Sequence, residues 1–108
     1  MIYTIDKITT LIGARRYGKE SAAIGWLLTD SRSLSFPEAT LFFAIHTQRN
    51  DGHKYIADRY NRGVRNFVVE TLPTDYTAHF TKANFLRVPN SLKALQRLAE
   101  RHRDEFQI

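Results

Sequence analysis

The stretch Leu41-Phe42-Phe43-Ala44-Ile45 decides the fold of this chain. Its apolar residues are continuous rather than alternating, and such a run is typical of a strand that is buried on both faces of a sheet. Polar groups crowd on either side of it, in Thr29-Asp30-Ser31-Arg32 and in Arg49-Asn50-Asp51-Gly52-His53. A buried strand between polar loops is a common way to present a ligand site on a rigid scaffold.

Helical and extended segments alternate around that strand. The predicted elements are a helix over 5–12 capped by Thr4, a short strand over 14–17, strands over 24–29 and 41–46, a helix over 53–62, strands over 64–69 and 85–88, and a last helix capped by Asn90 or Ser91. Residues 72–82 are predicted to be irregular. This alternation predicts the α/β class, as a single small domain over residues 1–108 with a mixed, partly parallel sheet and flanking helices.

Composition narrows the class of protein. A chain of 108 residues with 43% hydrophobic residues makes one folded domain. The sequence contains no cysteine, which excludes disulfides and thiolate metal sites and agrees with an expected cytoplasmic location. No apolar run approaches the roughly 18 residues of a membrane span, so no membrane is a predicted partner. The first residues carry an acid early, which argues against a signal peptide.

The net charge of +5 favours anionic partners, among them nucleic acid, anionic lipid and phosphorylated metabolites. Much of the excess lies in Lys93, Arg97, Arg101, His102 and Arg103, which fall on the last predicted helix. We expect these residues to form the solvated face of that helix.

The first polar loop, Thr29–Arg32, has a functional and a structural interpretation. Ser31 offers a hydroxyl that donates and accepts, and Arg32 offers a planar fork for phosphate or carboxylate. Alternatively, Asp30 or Ser31 bonds nearby backbone amides and the segment is only a turn.

The second polar loop, Thr47–His53, is open to the same two interpretations. Backbone N–H groups at the start of a helix favour an anion, and Gly52 allows a tight backbone path. Alternatively, Asp51 caps the following helix and Gly52 serves the turn.

Several kinds of site are excluded by the pattern. The four histidines do not have the spacing of a zinc pair, so no metal ligand is predicted. Neither the phosphate-cradling loop of nucleotide hydrolases nor the Gly-x-Ser-x-Gly nucleophile motif occurs. The aromatic signatures of RNA-binding folds are also missing. Nucleic acid is therefore not a predicted partner, although a basic nucleic-acid-binding module stays as an alternative.

The order of these motifs resembles the first domain of the Mur ligases, which add amino acids to UDP-linked peptidoglycan precursors. The resemblance rests on the segments 28–32, 41–44 and 51–56, on Gly63-Val64-Arg65-Asn66-Phe67-Val68-Val69-Glu70, and on the helix start from Val88 to Leu95. It spans nearly the whole chain. Each motif is weak alone, and their order and spacing together make the pattern specific.

Within the family the chain is most similar to ligases that join D-alanyl-D-alanine to UDP-N-acetylmuramoyl-tripeptide, in particular to forms fused to an alanine racemase. The ligase that adds the third peptide residue is the nearest alternative. The resemblance implies a domain that holds the UDP end of the substrate, with no catalysis by the fragment alone. ATP and Mg²⁺ would then belong to other domains of the same protein, and pyridoxal phosphate to a fused racemase.

The resemblance also assigns residues. Thr29, Ser31 and Arg32 match the family's first uridine-side loop, and Thr47, Gln48, Arg49 and Asn50 match the second. Ser31 and residues 48–50 would recognise uracil and ribose, and Arg32 or Arg49 would approach the diphosphate. Asp30, Asp51, Gly52 and His53 would support the loops. Many relatives carry glycine where Thr47 stands, and a β-branched residue resists positive φ, so we expect that loop to differ locally.

Overall fold

Helices pack on both faces of a five-stranded sheet in the computed structural model of this chain, which describes residues 3–29, 35–48, 51–102 and 106. The strands are β1 (Tyr3–Thr4), β2 (Arg15–Tyr17), β3 (Ala23–Ile24), β4 (Trp26–Leu28), β5 (Thr40–Phe43), β6 (Asn66–Val69) and β7 (Asn84–Arg87). The helices are α1 (Ile5–Leu11), α2 (Ile56–Asn61), α3 (Tyr76–His79) and α4 (Ser91–His102). Short 3₁₀ helices cover Pro37–Ala39 and Gly52–Tyr55.

The main sheet has the strand order β2-β7-β6-β5-β4, and a two-stranded antiparallel ribbon pairs β1 with β3. Strands β4 to β7 run parallel, whereas β2 pairs antiparallel with β7. The predicted α/β class and the mixed, mostly parallel sheet are therefore confirmed. The carboxyl ends of four neighbouring parallel strands meet at one edge, called here the carboxyl edge.

The central strand β5 is buried on both faces, as its continuous apolar run predicts. Phe43 packs in one core with α1 and α4, and Phe42 packs in a second core with α2. Both side chains are fully buried. Full burial of a phenylalanine stabilises a fold by about 1.5–3 kcal/mol, so this short strand anchors both layers of helices.

The helix ends follow the predicted capping chemistry. The hydroxyl of Thr4 accepts the backbone N–H of Lys7 at 3.2 Å, which caps α1. Of the two candidates for α4, Asn90 is the cap, because its Oδ1 accepts the backbone N–H of Lys93 at 2.9 Å.

Three predicted elements differ from the structure. The strand over 24–29 is divided at Gly25 into β3 and β4, which belong to different sheets. The helix over 53–62 begins as the 3₁₀ turn and becomes α-helical only at Ile56. The irregular stretch 72–82 contains the short helix α3. The division at Gly25 arises because β3 pairs with β1 and β4 pairs with β5.

The basic face of α4 is only partly as predicted. Lys93, Arg97 and Arg101 are exposed, but His102 is half-buried and its Nδ1 lies 2.6 Å from the hydroxyl oxygen of Tyr3. His102 therefore joins α4 to the amino-terminal strand instead of facing solvent. Arg103 lies outside the described residues. No helix of the described chain has the length and apolar character required to cross a membrane.

Candidate functional site

The loop after β5 is closed at its base by two contacts. His46 and Asp51 form an isolated antiparallel bridge, and the N–H of Gly52 donates to the carbonyl of Ile45 at 2.8 Å. Thr47 and Gln48 follow this closed base and are the described residues of the loop tip. Thr47 and Gln48 are exposed there, and Arg49 and Asn50 lie outside the described residues.

Gly52 lets this loop lie directly on the strand that it follows. A Cβ atom at Gly52 would be 2.8 Å from the backbone nitrogen of Ile45 and 3.1 Å from the Cα of Ala44. Real Cβ atoms do not tolerate such an approach to backbone, so the position requires glycine because of close packing.

Asp51 fixes the next turn. Its side chain accepts the backbone N–H of His53 at 3.0 Å and so caps the 3₁₀ helix Gly52–Tyr55. The same Oδ1 lies 2.5 Å from Nδ1 of His53, and Oδ2 lies 3.4 Å from Nδ1 of His46. The backbone N–H of His53 is the main cause that lowers the pKa of Asp51, and burial opposes it. The carboxylate is thus held ionised between two imidazoles.

His53 connects this loop to the end of β6. Its Nε2 accepts the backbone N–H of Glu70 at 2.9 Å, so the ring proton resides on Nδ1 and is donated to Asp51. Both ring nitrogens are engaged in structural hydrogen bonds. The ring therefore positions the loop and is not free to act as a general base.

Ser91 fastens three elements at the carboxyl edge, and the sequence interpretation did not find this role. Its Oγ lies 2.7 Å from the carbonyl oxygen of Ala44, after β5, and 2.9 Å from Oε2 of Glu70, after β6. Its backbone N–H also donates to that Glu70 oxygen at 2.9 Å. Ser91 is fully buried. Since its partners are distant in sequence, no local signal could have identified the contact.

A cleft of about 450 Å³ opens at the carboxyl edge beside the loop after β5. It is lined by His46, Asp51, His53, Ile56, Glu70, Thr71, Leu72, Pro73 and Thr74. The wall formed by residues 71–74 was not predicted, because that stretch carries no motif.

The first predicted loop follows β4, the neighbour of β5 at the same edge. Thr29 is exposed directly after the last residue of β4. Asp30, Ser31 and Arg32 lie outside the described residues, as do Arg49 and Asn50. The structure thus brings Thr29 and the loop carrying Thr47 and Gln48 to one edge.

Within the described ranges, no three or more His, Cys, Asp or Glu side chains gather in a way that could hold a metal ion. His46 and His53 converge on one carboxylate, as described above, whereas His102 bonds to Tyr3. The arrangement offers hydrogen-bond donors and acceptors on rigid supports at the carboxyl ends of parallel strands. In open α/β sheets that is where ligands bind.

Fold and edge together define a three-layer α/β domain with polar loops at the carboxyl ends of β4 and β5. No protein-family model matches the chain, and no curated protein sequence matches it. Solved structures, however, match the chain. The crystal structure of MurF from Acinetobacter baumannii matches with a TM-score of 0.74 at 20% identity, over 96% of this chain and 22% of its own.

A second structure from Acinetobacter baumannii gives the same TM-score of 0.74, 20% identity and coverage of 96% and 22%. That protein is a UDP-N-acetylmuramoylalanyl-D-glutamyl-2,6-diaminopimelate–D-alanyl-D-alanyl ligase. The resemblance to a Mur ligase domain is therefore confirmed for the fold. The chain spans about a fifth of the length of these ligases, 22% in each case.

Proposed function

We propose that this chain is the first domain of a Mur-type ligase, and that it holds the uridine diphosphate end of a UDP-N-acetylmuramoyl-peptide. The chemistry would belong to other domains of the same protein, which would bind ATP and Mg²⁺. The group that this ligase adds to the substrate would be D-alanyl-D-alanine. The observation that carries the proposal is the fold match over 96% of the chain, combined with polar loops at the carboxyl edge.

The contacts that hold the loop after β5 in place are the physical basis of the proposal. The tip bearing Thr47 and Gln48 is held from below by Gly52 and from the side by Asp51 and His53. Because this base is fixed, Thr47 and Gln48 present their polar groups with a smaller ordering cost on binding. Hydroxyl and amide groups on such a tip suit the carbonyl and imide groups of uracil and the hydroxyls of ribose.

A domain that binds only the far end of a substrate still contributes to the rate of the whole enzyme. Binding energy gained at a remote group positions the reacting carboxylate for attack. In this proposal Ser31 would share the recognition of the nucleoside, and Arg32 or Arg49 would approach the diphosphate.

The direct test is an NMR titration of the ¹⁵N-labelled chain with UDP-N-acetylmuramoyl-tripeptide and with UDP alone. We expect amide shifts at Thr29, Thr47 and Gln48 that saturate, with UDP alone giving the same pattern more weakly. ADP is the control ligand, since it carries the diphosphate without uracil. Absence of shifts at both loops, up to millimolar substrate, would count against the proposal.

Variants sharpen the test. Gln48→Ala should weaken binding, whereas Gln96→Ala, an exposed glutamine on α4, should leave it unchanged. A mixed-sequence oligonucleotide separates the basic-module alternative, because its binding would fall steeply with salt. Stronger binding of the oligonucleotide than of UDP would favour that alternative.

A further inference from the structure

A groove runs along the flank of the domain where β2, β7 and the start of α4 meet. Two adjoining depressions, of about 360 Å³ and about 440 Å³, share Val88 and Pro89 as a common floor. Ile12 and Ala94 extend that floor on one side. The floor of this groove is thus apolar, although it lies at the surface.

The rim of the groove is basic. Arg15 and Arg87 stand on one side of the floor, and Lys93 and Arg97 stand on the other. All four side chains are exposed. These residues come from β2, β7 and α4, so the fold assembles them from separate parts of the sequence. We call this surface the basic groove.

Among the residues that the structure describes, one acidic side chain, that of Glu70, lines the groove. Among the described residues, ion pairs join other cations to Asp6, Asp51 and Asp58, and none involves the four rim residues. The acid that lines the groove is Glu70, and its Oε2 is engaged by Ser91. Four cations and one carboxylate line the groove, because a hydrogen bond from the neutral Ser91 leaves the charge of Glu70 in place, so the groove keeps a net positive charge.

Two of the rim residues oppose each other directly. Arg15 and Arg87 are partners in the antiparallel register of β2 and β7. Like charges at such positions are destabilising. The free domain carries this repulsion on an exposed edge, and a bound anionic group would relieve it.

We propose that the basic groove docks an acidic amphipathic segment of a partner protein. Carboxylates of that segment meet the rim, and its apolar side chains cover Val88 and Pro89. A polypeptide fits better than nucleic acid, because the described residues that line the groove include no aromatic ring on which a base could stack. The groove lies at the β2–β7 end of the sheet and shares Glu70 with the cleft beside the loop after β5. The two proposals are told apart by the residues that respond, because the peptide should shift Val88, Lys93 and Ala94, and UDP should shift Thr29, Thr47 and Gln48.

The test uses the full 108-residue chain and three labelled probes. The first is a synthetic amphipathic peptide built from leucine and glutamate, the second replaces each glutamate by lysine, and the third is a mixed-sequence single-stranded oligonucleotide. We expect the acidic peptide to bind, to shift the amides of Val88, Lys93 and Ala94, and to weaken with added salt. No binding of the acidic peptide, or equal binding of the lysine peptide or the oligonucleotide, overturns the proposal.

Charge-reversal variants locate the contact. The double variant Lys93→Glu, Arg97→Glu should weaken the acidic peptide roughly tenfold or more. Arg101→Glu is the matched control, because Arg101 is exposed on the same helix and does not line the groove. The single variant Arg97→Glu is measured beside it, and a loss for Arg101→Glu as large as the loss for Arg97→Glu would indicate unspecific attraction and would reject the site.

Arg15→Gln separates binding from folding. It removes the repulsion with Arg87 and places no new carboxylate beside Glu70, so Tm should not fall while the affinity for the acidic peptide falls. Arg87 is kept because its Nε donates to the carbonyl oxygen of Glu70 at 3.3 Å. An unchanged peptide affinity in folded Arg15→Gln would count against the proposal.

Discussion

Replacing Gly52 by alanine tests how closely the loop after β5 must lie on its own strand. The added Cβ would be 2.8 Å from the nitrogen of Ile45 and 3.1 Å from the Cα of Ala44. Favourable separations begin at about 3.5 Å, so the loop must retreat by roughly 0.7 Å to relieve the shorter contact. Both neighbours are backbone atoms, which no change of rotamer can move aside.

Overpacking of this kind costs about 1–3 kcal/mol. In a domain of this size 1 kcal/mol shifts Tm by roughly 4–8 °C. We therefore expect Gly52→Ala to lower Tm by roughly 4–24 °C, measured by circular dichroism, with a parallel loss in urea denaturation. In NMR spectra the amides of Thr47 and Gln48 should move more than those of α1, because the loop tip retreats with its base.

Gly25→Ala is the matched control. A Cβ at Gly25 meets nothing within 4 Å, and its φ is not in the left-handed region. At such a position alanine commonly stabilises by about 0.4–1 kcal/mol, because it restricts the unfolded chain. Equal stability of the two variants, with unmoved loop amides in Gly52→Ala, would show that the close approach carries no energetic weight.

Three further outcomes are expected. Ser91→Ala leaves a buried carbonyl without its donor and should lower the free energy of unfolding by about 1–3 kcal/mol, whereas exposed Ser21→Ala should leave the urea midpoint unchanged. Leu98→Ala should lower the free energy of unfolding by about 2–5 kcal/mol, because it opens a cavity in the core. Leu92→Ala should lower it much less, since Leu92 is 42% exposed on the same helix. Equal urea midpoints for the two variants would contradict the packing of α4 on the core. The pKa of Asp51 is lowered from 3.8 in the folded state, so its stabilisation is complete above 3.8 and is lost as pH falls through the lower folded value. The stability difference between the wild type and Asp51→Asn should therefore shrink below that pH in urea titrations, and a constant difference would assign the effect to something other than charge.

Local patterns predicted the parts of the fold that local chemistry determines. The apolar run of β5 reports burial on both faces, since a half-exposed strand would alternate. The spacing of apolar residues and the hydroxyl of Thr4 predict α1 and its start. For α4 the sequence offers Asn90 or Ser91 as the cap, and the structure has Asn90. Asp51 lies where an N-cap is expected from the sequence.

The other parts of the fold depend on contacts between residues that are distant in sequence, which a local pattern cannot contain. The run around Gly25 reads as one strand, yet β3 pairs with β1 and β4 pairs with β5, so the chain changes sheets at the glycine. An isolated glycine inside a strand pattern is the available signal for such a break. His102 and Ser91 look like ordinary surface and capping residues, and only the assembled fold gives them Tyr3 and Ala44 as partners.

The contact between Ser91 and Ala44 has a consequence for how the protein folds during synthesis. The two residues are 47 positions apart in the sequence. At about 5–20 residues per second, the loop after β5 exists for roughly 2–9 seconds before the residue that fastens its base has been made. Joining such distant segments costs chain entropy before any packing offsets it, which slows this step relative to helix formation. Until position 91 has been made, the edge proposed to bind the nucleotide lacks the hydroxyl that joins the ends of β5 and β6, so a ribosome paused before that position would carry this edge without its fastening.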